Sequence, residues 1–275
     1  MSSTRLPGKV MMSLLGKSLL ARMIERLQMI RHKAIIVIAA TVSKEDDIIE
    51  QEAKNLGLPC YRGSMNNLLD RHYKAAKLHN AGVVLKIPSD CPLIDPLIVD
   101  EALDYFFEND GEFDYVSNLH PATWPDGNDV EIMTIECLGK AWQNATKQLE
   151  LEHTTPYIWE NQDKFRIGNL IWSAGLDYSM SHRFTIDYAG DYEFIKRVFE
   201  ELYAAKNDFS CDDILDLLKN KPEIYQLNAQ YAGVNWYRNH LDELKTVSAG
   251  QTKNAPGEMN IASIEAESRV HKAES

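Results

Sequence analysis

The sequence predicts an α/β fold, a parallel sheet with helices on both faces that passes into a mixed α+β second half. Three observations lead there. Short apolar runs rich in β-branched residues alternate with amphipathic helical stretches as far as Asn109. Acids stand where two such runs end, at Asp90 and Asp187, the edge at which open α/β sheets present ligand groups. The chain also begins inside a loop, Met1-Ser2-Ser3-Thr4-Arg5-Leu6-Pro7-Gly8-Lys9, whose hydroxyls, Gly and two cations suit a polyphosphate.

Leu14, Leu15, Leu19, Leu20, Met23, Ile24, Leu27 and Ile30 recur at helical spacing with Lys17, Arg22, Glu25 and Arg26 between them, predicting one amphipathic helix. Residues 34–40, AIIVIAA, read as a strand buried on both faces. Residues 44–56 return to helix, capped by the Ser43 hydroxyl and closed by Gly57. A short strand at 59–61, a helix at 67–80, a buried strand at 83–87 and a helix at 96–109 follow, which implies right-handed crossovers. From Phe113 the rhythm changes. Strands are expected at 115–116, 130–135, 165–171 and 183–186, and helices at 136–146, 153–160, 188–202 and 211–218. Residues 225–244 form an aromatic-bearing segment expected to dock on the body. Beyond Val247 the composition turns to Ser, Ala, Gly, Glu and Lys, so one domain is expected over 1–247 and a disordered tail over 248–275.

Composition narrows the function. With 275 residues, 44% of them hydrophobic, the chain can bury a full core. A formal net charge of −12 argues against coating nucleic acid or an anionic membrane. Cys60, Cys91, Cys137 and Cys211 form no C-x-x-C pair, so reduced thiols are expected rather than a zinc cage or redox motif. The longest apolar run, 34–40, is too short to cross a bilayer, and no signal-like segment opens the chain. A cytoplasmic location is the expectation.

Asp90 lies in Pro88-Ser89-Asp90-Cys91-Pro92-Leu93-Ile94-Asp95, directly after a buried strand, and Phe184-Thr185-Ile186-Asp187 repeats that placement. A few carboxylates completed by phosphate oxygens and water suit Mg²⁺, so these two Asp are adequate ligands. Asp95 before Pro96 reads instead as a helix cap.

In chain order stand Ser3-Thr4-Arg5-Leu6-Pro7-Gly8-Lys9, Arg62-Gly63-Ser64 with Leu69-Asp70-Arg71, the Asp90-Cys91-Pro92-Leu93-Ile94 run, and Pro125-Asp126-Gly127 with Asp129-Val130-Glu131. Glu152-His153-Thr154-Thr155-Pro156-Tyr157 and Ile186-Asp187 complete the series. Together they resemble the cytidylyltransferases of the spore-coat polysaccharide type, relatives of the enzymes that activate Kdo and sialic acids with CTP. The resemblance spans residues 1–244. It implies a Rossmann-like sheet of the nucleotide-diphospho-sugar transferase type, CTP and a sugar or sugar acid as substrates, Mg²⁺ as cofactor and, in many relatives, a homodimer. By position, Arg5 and Lys9 match the triphosphate-holding cations, with Ser3 and Gly8 in the same loop, and Asp90 and Asp187 match the metal acids. Arg62, Ser64 and Arg71 lie where such relatives shape the nucleotide pocket. Asp126, Glu131, Glu152 and His153 are expected on the sugar side, although Asp126-Gly127 is also a good turn and Glu152-His153 a good helix start.

Relatives place a hydrophobic strand immediately before the basic loop, whereas here Met1 holds the position before Ser2. The first central strand is therefore expected to be missing, through a start codon set too far downstream, and a chain without it is expected to bind CTP weakly. The expected reaction joins CTP to a nonulosonate-type sugar acid, giving a CMP-sugar and pyrophosphate. Two alternatives stay open: a glycosyltransferase consuming a nucleotide sugar, and a non-catalytic remnant or scaffold. The single acid of Ser89-Asp90-Cys91 favours transfer to the α-phosphate over sugar transfer.

Overall fold

A computed structural model of the chain describes residue 1 and residues 3–257. In order these form strands β1 (Ser13–Leu14) and β2 (Lys17–Ser18), helix α1 (Leu19–Leu27), β3 (Ile38–Thr41), α2 (Asp47–Asn55), β4 (Cys60–Gly63), α3 (Leu68–Leu78), β5 (Val83–Lys86), α4 (Pro96–Glu108), β6 (Tyr115–Ser117) and β7 (Glu131–Thr134). Then come α5 (Ile135–Asn144), α6 (Gln148–His153), α7 (Pro156–Trp159), β8 (Ile167–Asn169), α8 (Ala189–Leu202), α9 (Cys211–Asn220) and α10 (Pro222–Tyr225). The main sheet has the order β5-β7-β6-β8, with β7 antiparallel to both neighbours and β6 parallel to β8. β3 and β4 make a separate parallel pair.

Alternation along the strands puts helices on both faces of the sheet. Val116 and Ile132 point into one core, with Met23 of α1, Val99 and Leu103 of α4, Phe194 and Val198 of α8 and Ile214 of α9. Their neighbours Tyr115 and Met133 point the other way, into a core with Leu69 of α3, Leu138 of α5 and Trp159 of α7. The helices begin where side chains satisfy their first N–H groups: Ser18 caps α1, Asn67 α3, Asp95 α4, Thr134 α5 and Ser210 α9. Asp95 is thus the cap its sequence position suggested.

Four expected elements differ. The helix anticipated from Leu14 starts at Leu19, because Leu15 and Gly16 adopt positive φ and turn 13–18 into a tight hairpin. The strand expected over 34–40 is only β3, half-buried, with Ile35 68% exposed: it pairs with β4 alone, so one flank lacks the cover a doubly buried strand needs. The helix expected over 153–160 is two short ones broken at Thr154, whose φ is +73°. Residues 183–186 form no strand but an extended segment stitched to two loops: Phe184 N donates to Asp126 O and Ile186 N to Asp90 O. The order expected to stop at Val247 continues to Gly257, where Thr252 and Ala255 are buried and Lys253 N donates to Gly233 O. The remainder of that expected tail, 258–275, lies outside the described residues.

Gly127 shows how closely the stitched segments approach. Its φ is +103°, and a Cβ there would lie 2.6 Å from the carbonyl carbon of Phe184. Gly127→Ala is expected to cost about 3 kcal/mol of unfolding free energy, read from urea denaturation, through both strain and displacement of the 182–187 segment; an unchanged midpoint would contradict this packing.

Candidate active site

Three oxygens converge on the Lys9 ammonium: Asp90 Oδ2 at 2.7 Å, Asp187 Oδ1 at 2.8 Å and the main-chain oxygen of Ile186 at 2.7 Å. The loop that delivers Lys9 is held by Gly8, in the left-handed region at φ +71°, and by Ser3, whose hydroxyl accepts from Leu6 N. Arg5 joins from the same loop, its Nη2 lying 2.7 Å from Asp187 Oδ1 and its guanidinium over the Tyr188 ring. Burial acts to lower the Lys9 pKa, but the charges of Asp90 and Asp187 outweigh it and hold the ammonium above its ordinary value. Asp187 mirrors this: burial favours its neutral form, and Lys9, Arg183 and Arg5 together bring it below the usual range.

The fold fixes both acids. Asp90 follows β5, and its carbonyl accepts from Ile186 N and Thr185 Oγ1, both at 2.9 Å. Asp187 stands just ahead of α8, whose unpaired N–H groups favour negative charge. Behind them lies Arg183, which is almost fully buried. Its Nη2 donates to Asp187 Oδ2 (2.7 Å), its Nη1 to Asp126 Oδ2 (2.8 Å) and Val234 O (2.7 Å), and its Nε to Asp191. Asp126 is pushed up to about 7 by burial, against the pull of Arg183 and with the help of Asp129, Asp187 and Asp90; Asp129 rises to about 6, chiefly through burial.

Among the described residues no group of three or more His, Cys, Asp and Glu side chains forms a metal cage. Asp90 and Asp187 still fit a hard divalent cation that draws its other ligands from phosphate and water. The ammonium held by their oxygens and the Ile186 carbonyl marks the point at which this site favours positive charge. A cavity of about 450 Å³ opens elsewhere, lined by Met11, Lys17, Ser18, Glu52 and neighbours, and none of these acids borders it.

A family model described as cytidylyltransferase matches residues 1–237. The chain belongs to the cytidylyltransferase family. A solved cytidylyltransferase from Leptospira borgpetersenii serovar Hardjo-bovis is 35% identical at a TM-score of 0.77, covering 82% of this chain and 93% of that one. The spore coat polysaccharide biosynthesis protein SpsF of Bacillus subtilis is 26% identical over 81% of this chain and 92% of its own. A 3-deoxy-manno-octulosonate cytidylyltransferase of Solibacter usitatus is 32% identical over 37% of this chain and 40% of its own. As a member of this family the protein is a CTP-dependent nucleotidyltransferase.

The cytidylyltransferase gathers some of the residues singled out from sequence and scatters others. Arg5, Lys9, Asp90, Asp187 and, through Arg183, Asp126 form one network. Arg62 turns toward α2, pairing with Glu50 and Asp47 and donating to Thr41 O and Ser43 O. Arg71 donates to the Ser64 carbonyl, and its buried Nε has no partner. Glu131 is 2% exposed and enclosed by Lys86, Tyr115 OH and Thr155 Oγ1, so it is a core acid rather than an open sugar ligand. Glu152 faces solvent and bonds Gln148. His153 stacks on Trp236 with ring centroids 3.7 Å apart.

Arg183, Asp191 and Lys86 escaped the sequence reading. A signal for Arg183 was present: on an extended segment Arg183, Thr185 and Asp187 share one side. Lys86 and Glu131 are register partners across β5 and β7, visible only once the strands are paired.

Near this pair three imidazoles are kept neutral by burial: His72 and His153 are lowered to about 3, His120 to about 4. Unfolding frees each to bind a proton below its ordinary value of 6.5, so their contribution is whole above that pH and is lost as pH falls toward the folded values. His72, which bonds Thr154 Oγ1, supplies the test. Between pH 6.5 and 5.5 the wild-type unfolding free energy should fall by about 1 kcal/mol more than that of His72→Asn. Equal falls in urea melts would refute a buried neutral His72.

Proposed function

We propose that this cytidylyltransferase transfers the cytidylyl group of CTP to a hydroxyl of a nonulosonate-type sugar acid, releasing pyrophosphate and supplying an activated sugar for surface polysaccharide in the cytoplasm. The observation that carries the reading is the meeting of two loop cations with two acids at one point, Lys9 Nζ with Asp90 Oδ2 and Asp187 Oδ1 and Arg5 beside it. A sugar acid and a polysaccharide are supported by the names of relatives, an octulosonate cytidylyltransferase and a spore coat polysaccharide protein, whereas the nonulosonate type rests on the resemblance read from the sequence.

In this reaction the sugar oxygen bonds the α-phosphorus while the bond from that phosphorus to the β-phosphate's bridging oxygen breaks. Such transfer needs positioning and neutralisation of charge on phosphoryl oxygens more than covalent help from protein. Asp90 and Asp187 are the residues that would hold Mg²⁺, which when bound would polarise the α-phosphate and acidify the attacking hydroxyl. Arg5 and Lys9 bear on the triphosphate and neutralise the departing pyrophosphate. Asp126, one oxygen of which Arg183 leaves untouched, accepts from sugar hydroxyls or amines. His153, stacked on Trp236 and kept neutral by burial, is the second residue assigned to the sugar side, on the resemblance alone.

Pyrophosphate release from CTP across a panel of sugar acids tests the reading. Asp90→Ala should lower the rate at least about a thousandfold, as loss of a charge-stabilising group does, and Lys9→Met should raise the KM for CTP. Release that persists in Asp90→Ala, or turnover of a nucleotide sugar without CTP, would overturn it.

A further inference from the structure

The acids around Arg183 divide into two kinds. Asp191, fully buried, has both oxygens occupied: Oδ1 accepts from Arg183 Nε and Asn228 Nδ2, and Oδ2 from Arg183 Nε and the main-chain N–H groups of Asp187 and Tyr188. Arg183 engages only one oxygen of each of the other two. It takes Oδ2 of Asp187, leaving Oδ1 to the loop cations, and Oδ2 of Asp126, whose Oδ1 has no donor among the described residues.

We infer that Arg183 is a positioning residue: its guanidinium, clamped to Asp191 and Val234 O, aims Oδ1 of Asp187, the oxygen it leaves to the loop cations, at the cation position and the oxygen of Asp126 that it leaves open at the acceptor. The inference rests on the reading of Asp187 as a metal acid and Asp126 as a sugar-side acid. The shape of the group explains why an arginine stands here. A guanidinium spreads its donors in a rigid fork, so Nε, Nη1 and Nη2 reach three carboxylates in three directions at once. A lysine ammonium brings the same charge from a single atom and cannot hold three acids apart in fixed orientations. The fork also sets the number of oxygens each working acid can offer. With Oδ2 turned to the guanidinium, Asp187 presents Oδ1 to a cation and Asp126 presents Oδ1 to the acceptor. The backbone reinforces this spacing, since Asp126 N donates to His182 O and Phe184 N to Asp126 O on either side of Arg183. The loop carrying the acceptor acid and the segment carrying the metal acid are therefore tied at one residue by both main chain and side chain.

The test uses the full chain with Arg183→Lys, and Arg183→Ala with and without added ethylguanidinium, each checked for folding by circular dichroism. Mn²⁺ binding without nucleotide, followed by electron paramagnetic resonance, should weaken at least about tenfold in Arg183→Lys. In turnover the KM values for Mg²⁺ and acceptor should rise by a similar factor while the KM for CTP stays within about threefold. Ethylguanidinium should restore part of the Mn²⁺ affinity of Arg183→Ala. A folded Arg183→Lys with wild-type Mn²⁺ affinity overturns the inference, as does a loss of every parameter in proportion to the folded fraction. Failure of both variants to fold also overturns it, in favour of a purely structural arginine. Absence of pyrophosphate release from wild-type protein would sink the proposed function instead, with the Mn²⁺ measurement still deciding the role of Arg183.

Discussion

Crowding of like charge is the constraint on which this site depends. Asp90, Asp126, Asp129, Asp187 and Asp191 come together where the 90-, 126- and 187-bearing segments meet, in a chain already carrying a net charge of −12. At an effective dielectric of about 20, two unit charges 4 Å apart repel by about 4 kcal/mol. The fold offsets this with Arg183 inside the cluster and Lys9 and Arg5 over its open side. Burial, reinforced by the repulsion that remains, makes Asp126 and Asp129 hold their protons more tightly than ordinary carboxyls. The arrangement therefore favours incoming positive charge, the electrostatic condition for a cation shared with a polyphosphate.

A second polar device lies one layer below. In the register of the main sheet Lys86 pairs with Glu131, Glu131 with Ser117, and Ser117 with Asn169, so one polar row crosses β5, β7, β6 and β8. Residues in register share a face, and a one-residue slip of β7 would carry Glu131 away from Lys86, Tyr115 and Thr155. Removing one partner of such a buried pair typically costs about 3–5 kcal/mol. The row thus pins β7 antiparallel between two neighbours and fixes β5, which leads into the loop that carries Asp90.

The sequence was legible where local rules act alone. The Asp95 cap and the 3.6-residue periodicity of α4, α8 and α9 yield those helices to within two residues at each end. It was illegible where a long-range partner decides. Residues 183–186 carry the β-branched and aromatic character of a strand, yet their partners are two loops, Asp126 and Asp90, so they make bridges instead of a ladder. Asp90 and Asp187, 81 and 178 positions from Lys9, could be singled out because Asp90 follows a strand and Asp187 an apolar run that reads as one, while Lys9 stands in a basic loop. Arg62 and Glu152 had the same kind of local context and point elsewhere, since nothing local records which way a surface side chain turns.

Side-chain satisfaction separates the acids that sequence could not. Asp46, Asp95, Asp100 and Glu131 have donors on both oxygens, drawn from main-chain N–H groups and fixed side chains, and each ties two distant segments together. Asp90, Asp126 and Asp129 differ. Lys9 takes one oxygen of Asp90, and among the described residues only the Cys91 sulfur approaches the other, at 3.9 Å. Arg183 takes one of Asp126 and Gly127 N one of Asp129, and among the described residues the second oxygen of each has no donor. A half-satisfied carboxylate in partly buried surroundings destabilises the free protein, since desolvation is incurred without full return. Such groups persist where something outside the chain completes them. Three of them meet beside Asp187, whose Oδ1 is held by Lys9 and Arg5 of a half-exposed loop, and that coincidence is what supports the proposed site among the acids of the described residues.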